Sequence, residues 1–137
     1  MTNRLFIDTG FALSLAFASN IHYAKAVELE QEILRQQARL VTTHAVLTEI
    51  GNALSREKYR AAAARLLQGF ENNPMVEIVP VTSDLYAKAF VLYRQRPDKC
   101  WGMTDCISFV VMHEQSITEA LAHDIDFEQA GFTALLR

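Results

Sequence analysis

The chain has 137 residues, half of them hydrophobic and 21% charged, with a formal net charge of −3. That length suits one domain, residues 1–137, able to bury a sizeable core, and no apolar run reaches the roughly 18–20 residues needed to cross a bilayer. The start lacks the charged region, apolar stretch and small-residue cleavage site of a secretory signal, so a cytoplasmic protein without membrane association is expected. Cys100 and Cys106 form no C-x-x-C pair and have no Cys or His partners at ligand spacing, which argues against a zinc site or a disulfide scaffold. The negative balance is a weak argument against a polyanionic partner. Acids gathered in one pocket account for the whole excess and are neutralised by a bound cation, while basic residues cluster at Arg56, Lys58, Arg60 and Arg65 and again at Arg94, Arg96 and Lys99.

In chain order, Arg4-Leu5-Phe6-Ile7 is a short apolar run closed by Asp8, Thr9 and Gly10. It predicts a buried strand that delivers Asp8 to a sheet edge, with Thr9 and Gly10 opening a helix. Phe11 to Ala18 reads as a short buried helix. Asn20 is the expected cap of an amphipathic helix from about Ile21 to Gln37, followed by a strand at Arg39 to Thr43. From Thr43 or His44 to about Ser55, Val46, Ile50, Ala53 and Leu54 form the stripe of a core-facing helix. Glu49 falls at the edge of that stripe, where a carboxylate is costly unless something pairs with it.

Lys58 to Glu71 predicts a further helix ended by Asn72-Asn73-Pro74, then a strand around Val76 to Val79. Thr82 or Ser83 caps a helix from Asp84 to Gln95, with Leu85, Ala89 and Leu92 inward. After a polar loop, Thr104 is the expected cap of a helix from Asp105 to Glu114 whose body is apolar nearly all round, the mark of burial on most sides. Asp105 would meet the positive end of that helix. Thr118 to Ala122 reads as a strand ending at His123-Asp124, repeating the arrangement at Asp8, and Phe132 to Leu136 as a last edge strand. Alternating strands and helices argue for an α/β, three-layer α/β/α fold with a mostly parallel central sheet.

Four carboxylates, Asp8, Glu49, Asp105 and Asp124, therefore sit at strand ends or on otherwise apolar helix faces. Each alone has an ordinary explanation as a helix cap, a first-turn charge or a turn residue. Together they would raise one another's pKa and cost stability unless a cation neutralised them. Oxygen ligands without His or Cys suit hard cations such as Mg²⁺ or Mn²⁺, which activate water and stabilise charge on a phosphate. Spacing alone does not show that the four converge.

Phe6-Ile7-Asp8-Thr9-Gly10, Leu47-Thr48-Glu49-Ile50, Met103-Thr104-Asp105-Cys106-Ile107-Ser108 and Ala122-His123-Asp124-Ile125-Asp126-Phe127 occur in this order along the chain. In that order and spacing the chain resembles the PIN-domain family, in particular the VapC-type toxin ribonucleases of bacterial toxin–antitoxin pairs. The resemblance implies a metal-dependent endoribonuclease with Asp8, Glu49, Asp105 and Asp124 as its acidic set. Asp8, Asp105 and Asp124 would hold Mg²⁺ or Mn²⁺, Glu49 would act through a coordinated water or as a ligand, and Thr9 and Thr104 would support the carboxylates with their hydroxyls. It also implies an RNA substrate, a cognate antitoxin protein and a homodimer, with apolar surface of the Ile21–Gln37 or Lys58–Phe70 helices available for the last. The family often has threonine two positions before the fourth acid, where this chain has Ala122. Asp126 is the competitor for that role if the strand ends two residues later.

Trp101 beside Gly102 could stack on a base or pack internally, and His22, His44, His113 and His123 are scattered. A strand placement would point His123 away from Asp124. A haloacid-dehalogenase-like phosphatase needs an aspartate where Gly10 stands, and a phosphoacceptor receiver domain needs a lysine after the last strand, absent between Asp126 and Arg137. The remaining alternative is a catalytically silent PIN-like module that binds RNA or protein, for which four mutually repelling acids serve no purpose.

Overall fold

A computed structural model of the chain describes residues 1–137. The elements in order are β1 (Arg4–Ile7), α1 (Thr9–Ala16), α2 (Tyr23–Gln36), β2 (Arg39–Thr43), α3 (His44–Ala53), α4 (Glu57–Asn72), β3 (Val76–Val79), α5 (Ser83–Gln95), α6 (Met103–Glu114), β4 (Glu119–Leu121), α7 (Ile125–Gln129) and β5 (Thr133–Ala134). The strands form one five-stranded sheet in the order β3-β2-β1-β4-β5, and every pairing is parallel.

Successive residues of a strand point to opposite faces, and the core divides accordingly. Phe6, Val41 and Ala120 belong to the larger cluster with Val46, Ile50, Phe109 and Met112 of α3 and α6. Leu5, Ile7, Leu40 and Leu121 join Phe11, Ala26 and Ile33 of α1 and α2. Helices thus cover both faces, as the apolar strands require. Phe6, Phe109 and Phe127 are fully buried, each of a size that stabilises by roughly 1.5–3 kcal/mol on leaving water. No helix is long and apolar enough to cross a membrane.

Some local expectations hold, the caps at Thr43 and Thr82 among them, and others change. Asn20 does not cap α2; His22 does, and the Asn20 carboxamide instead accepts from the His22 amide at 2.8 Å. Thr43 caps α3 by accepting from the Val46 amide at 3.2 Å, and Thr82 caps α5 by accepting from Leu85 at 3.1 Å. On α3 the residue turned inward between Val46 and Ile50 is Leu47, while Ala53 faces solvent. The α6 cap is Gly102, so Thr104 lies inside the first turn. β4 stops at Leu121, and a short helix, α7, follows where only a turn was expected. The exposed apolar side chains are not chiefly on α2 or α4: Tyr86, Phe90, Val91 and Tyr93 put a strip of them along α5.

Candidate active site

The chain adds β2 and β3 on one side of β1, and β4 and β5 on the other. The strand order therefore reverses between β1 and β4, and open parallel sheets take their ligands at the carboxyl ends of the strands at such a point. Asp8 follows β1 directly, and its amide donates to the Leu121 carbonyl at 3.2 Å, tying the two strand ends together. Asp124 follows β4 by three residues and caps α7, accepting from the Asp126 amide at 3.2 Å. Because β4 ends at Leu121, neither Asp124 nor Asp126 is a strand residue, and the turn brings both toward the crevice.

Asp105 stands in the first turn of α6, where one of its carboxylate oxygens accepts from the Gly102 amide at 3.1 Å. The helix is capped by its own third residue reaching back. Glu49 projects from α3 at the surface, and the Thr9 hydroxyl donates to its Oε1 at 2.6 Å. One of the two hydroxyls expected to support the acids thus does so. The Thr104 side chain makes no such contact, and only its carbonyl is engaged, by the Ser108 hydroxyl at 3.0 Å.

The acids feel one another. Burial pushes the Asp8 carboxyl from 3.8 up to about 7; the Thr9 amide opposes this, and the charges of Asp105, Glu49 and Asp124 add to it. Asp105 rises to about 6, chiefly through burial, held back by the Gly102 amide and raised further by Asp126, Asp124 and Glu49. Asp126 is also raised, by burial and then by Asp124. Asp8, Glu49, Asp105 and Asp124 thus lie near enough to feel one another's charge, and Asp126 joins them as a fifth.

Every ion pair in the molecule lies elsewhere, on Glu32, Asp84, Asp98, Glu114 and Glu128. No arginine or lysine compensates the crevice acids. No three of them are already gathered closely enough to hold a metal ion. The donor set is oxygen only, which fits a hard divalent cation and not zinc.

Two contacts at this edge have no local signal in the sequence. A β-carbon on Gly10 would lie 2.7 Å from Cδ2 of His123 and 2.8 Å from its Nε2. The histidine, outside any strand, therefore rests against the start of α1, and His22 stacks on it with ring centroids 4.6 Å apart. Trp101 is buried, edge-on to Phe109 at 5.0 Å, so it packs and does not offer its ring to a base. Its Nε1 donates to Gln129 of α7 at 3.2 Å.

Residues 5–133 match the family description of the PIN domain. The 23S rRNA-specific endonucleases VapC20 from Mycobacterium tuberculosis strains CDC 1551 and H37Rv are each 30% identical to this chain over 129 residues, covering 93% of it and 95% of their own length. The crystal structure of Mycobacterium tuberculosis VapC20, described as a sarcin-ricin loop cleaving toxin, superposes with a TM-score of 0.82 at 26% identity, over 94% of this chain and 96% of that one. With an all-parallel sheet, an acidic crevice at the reversal between β1 and β4, and this extent of likeness, the chain belongs to the PIN-domain family.

Proposed function

We propose that this protein is an endoribonuclease that cuts RNA phosphodiester bonds at the β1/β4 crevice with a divalent cation, Mg²⁺ or Mn²⁺, and is the toxin of a VapBC-type toxin–antitoxin pair. The observation that carries the reading is the set of acids without a compensating cation. A protein that only needed to fold would gain by losing them. Asp8, Asp105 and Asp124 would hold the ion, and Asp126 extends the donor set. A bound divalent ion supplies activation of water and stabilisation of charge developing on the phosphate.

The protein's own part is orientation. The Gly102 amide fixes Oδ2 of Asp105, and the Asp126 carboxyl lies against the same side chain. Thr9 fixes Oε1 of Glu49, leaving Oε2 to accept from water, which suits a role in directing the attacking water. The Asp8 amide, held by Leu121, fixes the backbone from which the most buried acid projects. The relatives act on 23S rRNA by their names, which makes a structured ribosomal RNA the first substrate to try. A cognate antitoxin and a homodimer complete the reading, the latter with exposed apolar surface available on α5.

The test is cleavage of ribosomal RNA by protein freed of any co-purified partner, with Mg²⁺ or Mn²⁺, against EDTA and against Asp8→Asn. The expected outcome is cutting in the first case and at least about 100-fold less in the other two, as for removal of a group that stabilises transition-state charge. Cleavage that survives Asp8→Asn overturns the reading. No cleavage by the wild type under any of these conditions leaves the RNA- or protein-binding module as the better account.

A further inference from the structure

We propose that the cleft between the end of α5 and the start of α6 is a subsite for the RNA backbone beside the scissile bond, with Arg94, Arg96 and Lys99 binding its phosphates. This rests on the endoribonuclease reading and specifies where the substrate strand lies.

The cleft has a volume of about 510 Å³, and its walls include Arg94, Arg96, Lys99, Trp101 and Gly102. One wall abuts the acids: Gly102, which lines the cleft, donates its amide to Asp105. Trp101 beside it donates to Gln129 at the far end of α7, so the same wall is bonded to two acid-bearing helices.

A divalent cation held by the crevice acids answers their own charge, but the phosphates flanking the cut need partners of their own, and charges more than the Debye length of about 8–10 Å away hardly act in physiological salt. Cations close to the crevice are therefore the natural partners of those phosphates. Here three cationic side chains face one carboxylate, Asp98. Arg96 grips Asp98 with Nε and Nη2, both at 3.0 Å, and its guanidinium lies 5.1 Å from the centre of the Trp101 ring. Arg96 is thus fixed in place with Nη1 outside the pair with Asp98, and a planar guanidinium suits a phosphate. Arg94 is steadied over Phe90 at 5.3 Å, and Lys99 lies 3.7 Å from the same aspartate. In the other basic stretch, from the Arg56 cap into α4, Arg60 is engaged by the Ser55 carbonyl at 3.1 Å.

The experiment measures binding of a fluorescent single-stranded RNA by the full chain carrying Asp8→Asn, which keeps the probe intact, across a series of salt concentrations. Adding Arg94→Gln and Lys99→Gln should weaken binding about tenfold and flatten the slope of log Kd against log salt by about 1.4, at about 0.7 per single-strand phosphate. Arg94→Lys with Lys99→Arg, which keeps both charges, should restore most of the affinity. Arg56→Gln with Lys58→Gln should change neither quantity. On the otherwise native chain, Arg94→Gln with Lys99→Gln should raise KM and leave kcat at saturating RNA unchanged.

The proposal is overturned if the α5–α6 variants bind RNA with native affinity and slope, or if the loss falls on the α4 variants. Loss of binding without any RNA cleavage by the wild type would sink the nuclease reading and keep the subsite. Intact cleavage with insensitive binding would sink the subsite alone.

Discussion

At Thr9 and Gly10, adjacent residues do separate jobs for the site. Thr9 gives its hydroxyl to Glu49 at 2.6 Å; Thr9→Val keeps the shape and removes the donor. Loss of a group that orients a working carboxylate typically costs 10–100-fold in metal affinity or activity. We expect about that fall in cleavage rate with little change in thermal stability, measured side by side. Gly10 has the opposite character, because what matters is the missing side chain. The 2.7 Å approach of a β-carbon to the His123 ring means that Gly10→Ala makes that exposed ring swing aside and give up its stack on His22. The ring yields at small cost and alanine favours the helix by about 1 kcal/mol, so urea unfolding should show little net change. Adding His123→Ala to Gly10→Ala should stabilise that variant by more than His123→Ala does the native chain. An additive double variant would mean the two residues do not press on each other.

Among the elements, α3 and α6 set the helical half of the site. α3 begins at Thr43, which is fully buried and caps the helix that carries Glu49. Thr43→Ala should cost about 1 kcal/mol or somewhat more, the usual value of an N-cap, read as a lower urea midpoint with an unchanged slope. The elements easiest to read in the sequence were those with strong patterns: the apolar run before Asp8, the stripe of α3 and the all-round apolar body of α6. Those patterns record burial, and burial is what the fold preserves. α7 escaped because five residues are too short to display a helical period. Threonine is a good cap and glycine a modest one, so the sequence points to Thr104 for α6. The structure prefers Gly102, whose amide is satisfied by Asp105. Choosing between Asp124 and Asp126 depended on where β4 ends, and a three-residue strand carries too little pattern to say. The His22–His123 stack joins residues about a hundred positions apart and the Trp101–Gln129 bond residues 28 apart, and no local pattern announces such contacts.

For the whole molecule, the crevice acids tie stability to pH in a definite sense. Asp8 and Asp105 have pKa values of about 7 and about 6 in the folded protein, against 3.8 when unperturbed. The folded state therefore holds these protons more tightly than the unfolded one. Their stabilising contribution is fully present below about pH 4 and is lost as pH rises through 6 and 7. Melting temperature in EDTA should accordingly fall between pH 5 and pH 8, and Asp8→Asn should flatten that fall by removing its largest contributor. A divalent cation competes with the protons, so added Mg²⁺ or Mn²⁺ should stabilise most at the upper end of the range. A melting temperature in EDTA that rises with pH over this interval would contradict the shared acidic crevice.

The sheet order has a consequence for how the protein comes into being. β1 is made first yet lies mid-sheet, with β4 on one flank, so the earliest strand waits for one of the latest before it is enclosed. Asp8 emerges near the start of synthesis, and Asp105 and Asp124 near its end. At about 5–20 residues per second, this chain of 137 residues spends on the order of ten seconds as a partial product whose crevice cannot exist. Topology alone thus keeps the acids apart until β4 and the turn after it have been made.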